Sequence, residues 1–313
     1  AAGGAFVQAE SELAAINMVL GAAAAGARAM TSSSSPGISL MQEGISYMAG
    51  QRLPAVIANV VRGGPGLGNI SAAQSDYFQS TRGGGHGDYY TPVLAPNSVQ
   101  EMYDLMYDAF AIAERYRTPT IVLADGMLGQ MAEPLAIRSR PAPPAIEKPW
   151  ALTGAKGRAP NSVFSLMIGP GRLEEHVRTL KNTYREMERE IRFERFQCDD
   201  AETIMVAYGS CARFCRKAVV LARSKGVRVG LFRPITLFPF PAEALQKEIA
   251  RGTRDFLVAE LSAGQMVEDV KLSLWGSNAT VRFFGRTAGS FPSTDSILAA
   301  LRGEPQDGSF YEA

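Results

Sequence analysis

Two loops that follow apolar, strand-like runs hold the residues best able to do chemistry in this sequence. One is the serine-rich stretch Thr31–Gly37, and the other is the glycine-rich stretch Arg62–Gly68. In parallel α/β sheets, ligands bind beyond the carboxyl ends of the strands, where loops expose hydroxyls and bare backbone N–H groups. The sequence therefore predicts a ligand site at these two loops.

Arg62 is the charged residue of the glycine-rich loop, and it directly follows the apolar run Ala55–Val61. Its planar guanidinium can hold a carboxylate through two parallel hydrogen bonds. A structural ion pair with an acidic residue of a neighbouring loop is an equally good interpretation of the sequence. We therefore expect Arg62 either to bind a substrate carboxylate or to form such a pair.

The serine-rich loop offers several hydroxyl groups to a polar ligand, among them those of Ser34 and Ser35. Pro36 and Gly37 then lead into a helix, whose N-terminus attracts negative charge. Serines at such a turn also serve simply as helix caps, so both interpretations stay open.

Two glutamates, Glu10 and Glu12, lie in an otherwise apolar, helix-forming segment. A carboxyl group in apolar surroundings tends to have a raised pKa, which suits proton transfer. Acidic residues are also common at the solvated start of a helix, where they interact well with the helix dipole. The residues alone favour this second interpretation.

Several familiar kinds of site are not indicated. The glycine-rich loop lacks the G-x-G-x-x-G spacing of dinucleotide sites, and Pro65 removes an N–H group that a pyrophosphate would use. Neither a phosphate-binding G-x-x-x-x-G-K-[ST] segment nor a G-x-S-x-G nucleophile elbow is present. The two histidines, His86 in a glycine stretch and His176 in a charged helix where we expect it to be solvated, are too few for a metal site.

Composition excludes further classes of function. With 32 basic and 31 acidic residues, the net charge of +1 provides no field for nucleic acid or an anionic membrane. The sequence has neither a signal peptide nor an apolar run of membrane-spanning length, which predicts a cytoplasmic protein. The three cysteines, Cys198, Cys211 and Cys215, are expected to be buried thiols.

Alternating helix-like and strand-like segments predict an α/β first half. We expect a helix buried on all sides at 8–25, a strand at 27–31, a helix at 38–50, a strand at 55–61, a helix from 97 or 98 to 115, and a strand at 120–124. In this arrangement each of the two loops follows a strand.

The second half begins after a proline-rich stretch at 139–171 and a charged helix with one apolar stripe at 172–196. From Thr203 the alternation of strands and helices restarts, which predicts a second parallel sheet, smaller than the first. We expect a first domain at 1–138, a connector with its charged helix at 139–199, and a second domain at 200–313.

A set of short segments forms a recognisable combination over almost the whole chain. The segments are Gln8–Ile16, Thr31–Gly37, Arg62–Gly66, Asp76–Gln79, Gly83–Asp88, Val206–Ser210 and Arg233–Pro241. Together they closely resemble the α subunit of 2-oxoacid:ferredoxin oxidoreductases of the pyruvate:ferredoxin oxidoreductase superfamily, and Gly83–Tyr89 is most similar to the branched-chain, or 2-oxoisovalerate, type. The resemblance implies a thiamine-pyrimidine-type parallel-sheet domain followed by a smaller transketolase C-terminal-like α/β domain.

The same resemblance implies an activity, cofactors and partners. The reaction is the oxidative decarboxylation of a 2-oxoacid, with branched-chain substrates favoured, to acyl-CoA with reduction of ferredoxin. Thiamine diphosphate is shared between two subunits, with its pyrimidine on this chain and its diphosphate and Mg²⁺ on a β subunit. Iron–sulfur clusters belong to partner subunits, and γ and ferredoxin-like δ subunits complete the assembly.

Site residues follow from the resemblance position by position. Glu12 matches the glutamate that holds the pyrimidine nitrogen and promotes the imino form of the ring, and Glu10 is the alternative. The segment Ser34–Gly37 matches cofactor-contacting residues, and Arg62 matches the arginine that holds the substrate carboxylate, whereas no metal ligand is expected on this chain. Members of the family begin with a further segment containing Tyr-Pro-Ile-Thr-Pro, so we expect the first domain to be N-terminally incomplete in this sequence.

Alternatives to this function stay open. The substrate could be pyruvate or 2-oxoglutarate instead of a branched-chain 2-oxoacid. A transketolase-like or dehydrogenase E1-like thiamine enzyme shares both domain types but uses other acceptors. A subunit that keeps the fold but serves only assembly is the non-catalytic alternative.

Overall fold

A computed structural model describes residues 3–138, 146–287, 289–304 and 308–312. The strands, numbered in chain order, are β1 (Met30–Ser33), β2 (Ala55–Val61), β3 (Val93–Leu94), β4 (Pro119–Asp125), β5 (Phe193–Phe196), β6 (Thr203–Val206), β7 (Val229–Pro234), β8 (Thr236–Phe238), β9 (Asp255–Glu260), β10 (Thr280–Gly285) and β11 (Phe310–Glu312). The helices are α1 (Glu12–Ala24), α2 (Ser35–Gln51), α3 (Tyr77–Thr81), α4 (Val99–Tyr116), α5 (Gly126–Gln130), α6 (Arg172–Glu186), α7 (Gly209–Arg223), α8 (Ala242–Ala250), α9 (Met266–Ser273) and α10 (Thr294–Leu301).

The first sheet has the strand order β1-β2-β4-β3-β8, and the pairs among its first four strands are parallel. Its central strands β2 and β4 are buried almost throughout, because uninterrupted apolar runs suit strands that are covered on both faces. The predicted strands at 55–61 and 120–124 are confirmed. The strand predicted at 27–31 is displaced toward the serine-rich loop and occupies Met30–Ser33.

Helix α1 is shorter and less buried than predicted. It begins at Glu12 because the Ser11 hydroxyl accepts a hydrogen bond from the backbone N–H of Ala14 and so caps the first turn. One face of the helix packs into the core, whereas Leu13 and Met18 on the other side are about half exposed. The expectation of a helix over 8–25 buried on all sides is therefore wrong.

The described part of the connector, residues 146–171, contains neither helix nor strand, and its beginning at 139–145 lies outside the described residues. The charged helix is shorter than the predicted 172–196, because α6 ends at Glu186 and a 3-10 turn follows at Met187–Glu190. Strand β5 then pairs antiparallel with β7. The apolar stripe continues from α6 through the 3-10 turn into β5, so the spacing of apolar residues did not mark the end of the helix.

The second sheet has the order β11-β10-β9-β6-β7-β5, with parallel central strands and antiparallel pairs at both edges. The described residues give it six strands against five in the first sheet. The expectation of a smaller second sheet is therefore wrong, because β5 and β11 were not predicted as strands. The mostly parallel α/β architecture of both halves is confirmed, while the domain limits at 138 and 200 stay a prediction.

Two features tie the halves together. Strand β8 belongs to the second half by sequence but pairs antiparallel with β3, with Val93 opposite Phe238. The Arg233 guanidinium, only 4% exposed, donates hydrogen bonds to both carboxylate oxygens of Glu101 on α4 and one to Glu194 on β5. The first sheet is thus completed, and its helix layer anchored, by residues of the second half.

Candidate active site

The serine-rich and glycine-rich loops leave neighbouring parallel strands at the same edge of the first sheet. Ser33 at the end of β1 lies opposite Asn59 of β2 in the parallel register. The Ser35 hydroxyl accepts a hydrogen bond from the Arg62 backbone N–H at 3.1 Å and donates one to the Arg62 carbonyl at 3.3 Å. The two loops therefore meet, as their positions in the sequence predict.

Ser34 is the residue at which the extended backbone of the loop turns into α2. Its backbone is extended, Pro36 lies in the first turn, and the Ser34 side chain forms no capping hydrogen bond. The interpretation of this serine as a side-chain cap is therefore wrong. Its half-buried hydroxyl lies beside the helix N-terminus, where backbone N–H groups point outward.

Glu12 is the acidic residue at the serine-rich loop. Its half-buried side chain extends from the start of α1, and Oε1 accepts a long hydrogen bond of 3.4 Å from the Ser33 hydroxyl. A Cβ atom at Gly37 would lie 2.6 Å from Glu12 Oε1 and 2.0 Å from Ser33 Oγ, so only glycine fits there without displacement. Glu10, in contrast, is exposed and precedes the helix.

Arg62 is half-buried at the end of β2, where Ala72 pairs with it in an isolated bridge. Its Nε atom is buried and has no hydrogen-bond partner, and within the described residues its guanidinium forms no ion pair. The glycine loop closes tightly beside it, because Gly68 has φ +55° and a Cβ there would lie 1.7 Å from the carbonyl oxygen of Gly63. The described surroundings thus leave a cation without a counter-ion next to bare backbone.

A carboxylate that was not among the predicted site residues, that of Asp76, also lies at this edge. Asn59, fully buried within β2, donates a hydrogen bond of 3.0 Å to Asp76, while its own side-chain oxygen has no partner. A single amide within an apolar strand was the signal that could have revealed it. Asp76 lines a cavity of about 570 Å³. Also lining this cavity are Ser35, Pro36, Ser39, Gly63, Gly64, Pro65, Gly66, Ala73, Ser75, Leu261, Ala263, Gln265, Thr287 and Phe310.

The second half of the chain holds the segment that carries Asp76. The Gln265 amide donates to the Ser75 carbonyl at 2.7 Å and accepts from the Phe78 backbone N–H at 2.8 Å. The Tyr77 hydroxyl donates to Asp269 of α9 at 2.5 Å. Burial raises the pKa of Asp269, although this hydrogen bond acts in the opposite direction. No sequence pattern marks Gln265, because its role depends on the packing of the two halves.

The remaining candidates lie away from this edge. His86 is exposed and makes an edge contact with Tyr47, whereas His176 is half-buried with Nε2 2.7 Å from the Gly50 carbonyl, so the expectation that it is solvated is wrong. The three cysteines are buried free thiols, as predicted, and burial raises the pKa of Cys198 to about 11.

Two further kinds of feature are absent from the described residues. None of the described helices is long and apolar enough to cross a membrane. Across the same part of the chain, no group of three His, Cys, Asp or Glu side chains is arranged to hold a metal ion.

Two family models match successive parts of the chain. The family described as pyruvate flavodoxin/ferredoxin oxidoreductase, thiamine diphosphate-binding, matches residues 1–196. The pyruvate:ferredoxin oxidoreductase core domain II matches residues 201–297. The resemblance inferred from the short segments is thereby confirmed.

Individual proteins agree with the family models. Ketoisovalerate oxidoreductase subunit VorB of Methanothermobacter marburgensis is 50% identical over 96% of this chain and 86% of its own length. The 2-oxoglutarate synthase subunit KorA of Archaeoglobus fulgidus is 37% identical over 90% of this chain and 82% of its own. A solved 2-oxoglutarate:ferredoxin oxidoreductase from Magnetococcus marinus shares the fold, with a TM-score of 0.81 at 24% identity over 97% of this chain and 58% of that one. The chain therefore belongs to the 2-oxoacid:ferredoxin oxidoreductases, as an α-type subunit with a thiamine diphosphate-binding domain.

Proposed function

We propose that this chain supplies two groups to the active site of a branched-chain 2-oxoacid:ferredoxin oxidoreductase. Glu12 holds the cofactor pyrimidine, and Arg62 holds the substrate carboxylate. The observation that carries the proposal is their placement at one sheet edge. Glu12 contacts Ser33 at the end of β1, and Ser35, two residues later, is hydrogen-bonded to the backbone of Arg62.

The residues around Glu12 fit the pyrimidine ring of thiamine diphosphate. The ring offers a nitrogen that accepts a proton and an amino group that donates one, and the loop offers a half-buried carboxylate beside serine hydroxyls. Gly37 keeps the space beside the carboxylate free of a side chain. Ser34, Ser35 and Pro36 would contact the ring from the start of α2, and Glu10 is too exposed for the same role.

When bound, thiamine diphosphate supplies a carbon nucleophile for the decarboxylation of 2-oxoacids. Glu12 would hold a proton at the ring nitrogen, as a carboxyl group positioned for general acid–base catalysis can do. Arg62 would place two parallel N–H donors on the substrate carboxylate, which orients the carbonyl carbon toward the cofactor. The unpaired guanidinium of Arg62 suits this role better than a structural one.

The remaining components are assigned to partner subunits. The donors described on this chain suit a pyrimidine and a carboxylate rather than a diphosphate, so we place the diphosphate and its Mg²⁺ on a β subunit. Iron–sulfur clusters, and γ and ferredoxin-like δ subunits, pass electrons to ferredoxin while CoA accepts the acyl group. A branched-chain substrate is favoured because a 50% identical relative is named a ketoisovalerate oxidoreductase subunit.

The test is an assay of the assembly purified after co-expression with its partner subunits. We expect reduction of a low-potential dye that requires both CoA and 2-oxoacid, with a higher kcat/KM for 3-methyl-2-oxobutanoate than for pyruvate or 2-oxoglutarate. A different substrate order would overturn the substrate assignment. Acyl transfer to lipoamide without iron–sulfur clusters would assign an E1-like enzyme, and an intact assembly inactive with every 2-oxoacid would assign an assembly role.

A further inference from the structure

Arg52 and Arg117 lie at the amino ends of β2 and β4, whereas Arg62 lies at the carboxyl end of β2. Arg52 separates α2 from β2, and Arg117 separates α4 from β4. Because β2 and β4 pair in parallel, with Ala55 opposite Pro119, the two arginines are neighbours at the amino ends of these strands. The candidate active site lies at the carboxyl ends, so this is a separate location.

Both arginines adopt a backbone conformation that favours glycine. Their φ angles are 56° for Arg52 and 51° for Arg117, which lie in the left-handed region. Helices that end in this conformation most often place glycine or asparagine there. The helix ends alone therefore do not explain why arginine occupies both positions.

The Arg117 side chain is held against the backbone of Arg52 and beside an aromatic ring. Arg117 Nε donates a hydrogen bond of 3.2 Å to the Arg52 carbonyl, and the Arg117 guanidinium carbon lies 4.6 Å from the centre of the Trp150 ring. Arg52 Nε is buried without a hydrogen-bond partner among the described residues. Burial, together with the nearby charge of Arg52, lowers the pKa of Arg117.

No carboxylate of the described segments neutralises these two charges. The neighbouring acidic residue Glu114 is already shared by Arg28 and Lys148, each at 2.8 Å. Neither Arg52 nor Arg117 forms an ion pair within those segments. Two half-buried like charges without a counter-ion are unfavourable, and a bound anion would remove that repulsion.

We propose that Arg52 and Arg117 together bind a phosphate group, either inorganic phosphate or the phosphoryl group of a metabolite. Guanidinium forks match phosphate oxygens geometrically and hold them through charge-assisted hydrogen bonds. A tetrahedral dianion has oxygens for both forks at once, whereas a single carboxylate is satisfied by one. The proposed phosphate site lies away from the candidate active site at the carboxyl ends of the strands. It does not depend on the function proposed for that active site.

Trp150 allows the proposal to be tested on the full chain by fluorescence. The chain contains two tryptophans, so Trp275→Phe leaves Trp150 as the reporter. Titration with potassium phosphate or AMP should give a saturable change in emission and raise the melting temperature. Potassium chloride at equal ionic strength should give neither effect.

Substitutions then test the two arginines. Arg52→Asn removes the charge but keeps a residue that tolerates the left-handed backbone, and it should weaken phosphate binding about tenfold or more. Arg117→Lys keeps the charge but loses the fork, and it should also weaken binding. Lys225→Gln removes an exposed charge elsewhere and should leave binding unchanged. The melting temperature of each variant without phosphate shows whether its fold is kept.

Tighter binding of AMP than of phosphate supports a phosphoryl metabolite as the ligand, and the reverse supports free phosphate. A response shared by chloride, or unchanged phosphate affinity in both folded arginine variants, would show that the arginines only cap their helices. Binding of a poly-glutamate peptide without binding of phosphate would indicate an acidic segment of a partner protein and would overturn the proposal.

Discussion

The Glu12 side chain packs so closely against Gly37 that no side-chain atom fits at position 37 without displacing it. A Cβ atom at Gly37 would lie 2.6 Å from Glu12 Oε1 and 2.7 Å from Glu12 Cγ. Because Gly37 is in the first turn of α2 and Glu12 is in the first turn of α1, this contact sets how closely the two helix starts approach. The position of the carboxylate therefore depends on a glycine of another helix.

The Gly37→Ala substitution should lower kcat by about a hundredfold, because displacing a positioned group by about an ångström can cost that much. Its matched control is Gly50→Ala in the same helix, where the Cβ would make an ordinary contact of 3.5 Å with Ser165. Steady-state kinetics of the assembled enzyme are the measurement. Wild-type activity in Gly37→Ala would show that Glu12 need not stay where the structure places it.

The Glu12→Gln substitution should abolish turnover while the assembly stays folded, since it removes proton exchange but nearly preserves shape. General acid–base contributions are commonly about 10²- to 10⁴-fold. Glu10→Gln is the control and should behave as wild type, because Glu10 is exposed. An effect of less than several-fold on kcat, or a larger loss in Glu10→Gln, would remove Glu12 from the proposed role.

The Arg62→Lys substitution should raise the KM for the 2-oxoacid about ten- to a hundredfold, because lysine keeps the charge but loses the planar fork. The melting temperature should barely change, since Arg62 forms no ion pair with any described residue. Kinetics and thermal melting of the same preparation decide the question. Unaltered KM and kcat, or a large loss of melting temperature with kinetics intact, would assign a structural role.

The Arg233→Met substitution should destabilise the chain by about 1.5 to 3 kcal/mol, because Glu101 and Glu194 lose their charge-assisted hydrogen bonds to this guanidinium and Glu194 keeps only Arg216. Denaturant unfolding measures this free energy. Arg178→Met is the control, since its partner Glu174 lies on the same exposed helix face and such pairs contribute little. Similar unfolding midpoints for the two variants would show that the Arg233 pairs do not join the halves.

The raised pKa of Asp125 predicts that the stability of the folded chain depends on pH. Burial raises its pKa above the ordinary 3.8, although hydrogen bonds from Ser210 and from the start of α5 act in the opposite direction. The unfolded state therefore loses this proton at lower pH than the folded state does, and the Asp125 contribution to stability falls as pH rises from 3.8 through the raised value. Asp125→Asn should lack this fall, so its melting temperature relative to wild type should increase with pH. A difference that is constant from pH 3 to pH 7 would contradict the prediction.

The sequence predicted those elements whose local pattern agrees with their tertiary surroundings. Ala55–Val61 is an uninterrupted apolar run, and it forms a strand with the predicted bounds. The strands β8 and β11 were missed because each has only three residues and exists through pairing with distant segments. The predicted helix at 172–196 continued into β5 because the apolar stripe does not change where the backbone does.

The residues of the candidate site also fall into two groups, those that the local sequence marks and those that only tertiary contacts identify. Arg62 and the serine-rich loop could be singled out because charge, glycine and serine follow a recognisable strand end. The choice between Glu10 and Glu12 could not be made locally, since it depends on contacts with Ser33 and Gly37 of other elements. Gln265 could not be predicted from the sequence either, because its hydrogen bonds reach residues far away in the chain.

The pairing of β3 with β8 also determines when the first sheet can be finished during synthesis. Residues 236–238 leave the ribosome long after residues 93–94, so the edge of β3 stays unpaired while the intervening chain is made. An open strand edge is a template for mispairing with other chains. A fragment ending at residue 196 would keep that edge permanently, so we expect it to aggregate unless residues 236–238 are supplied.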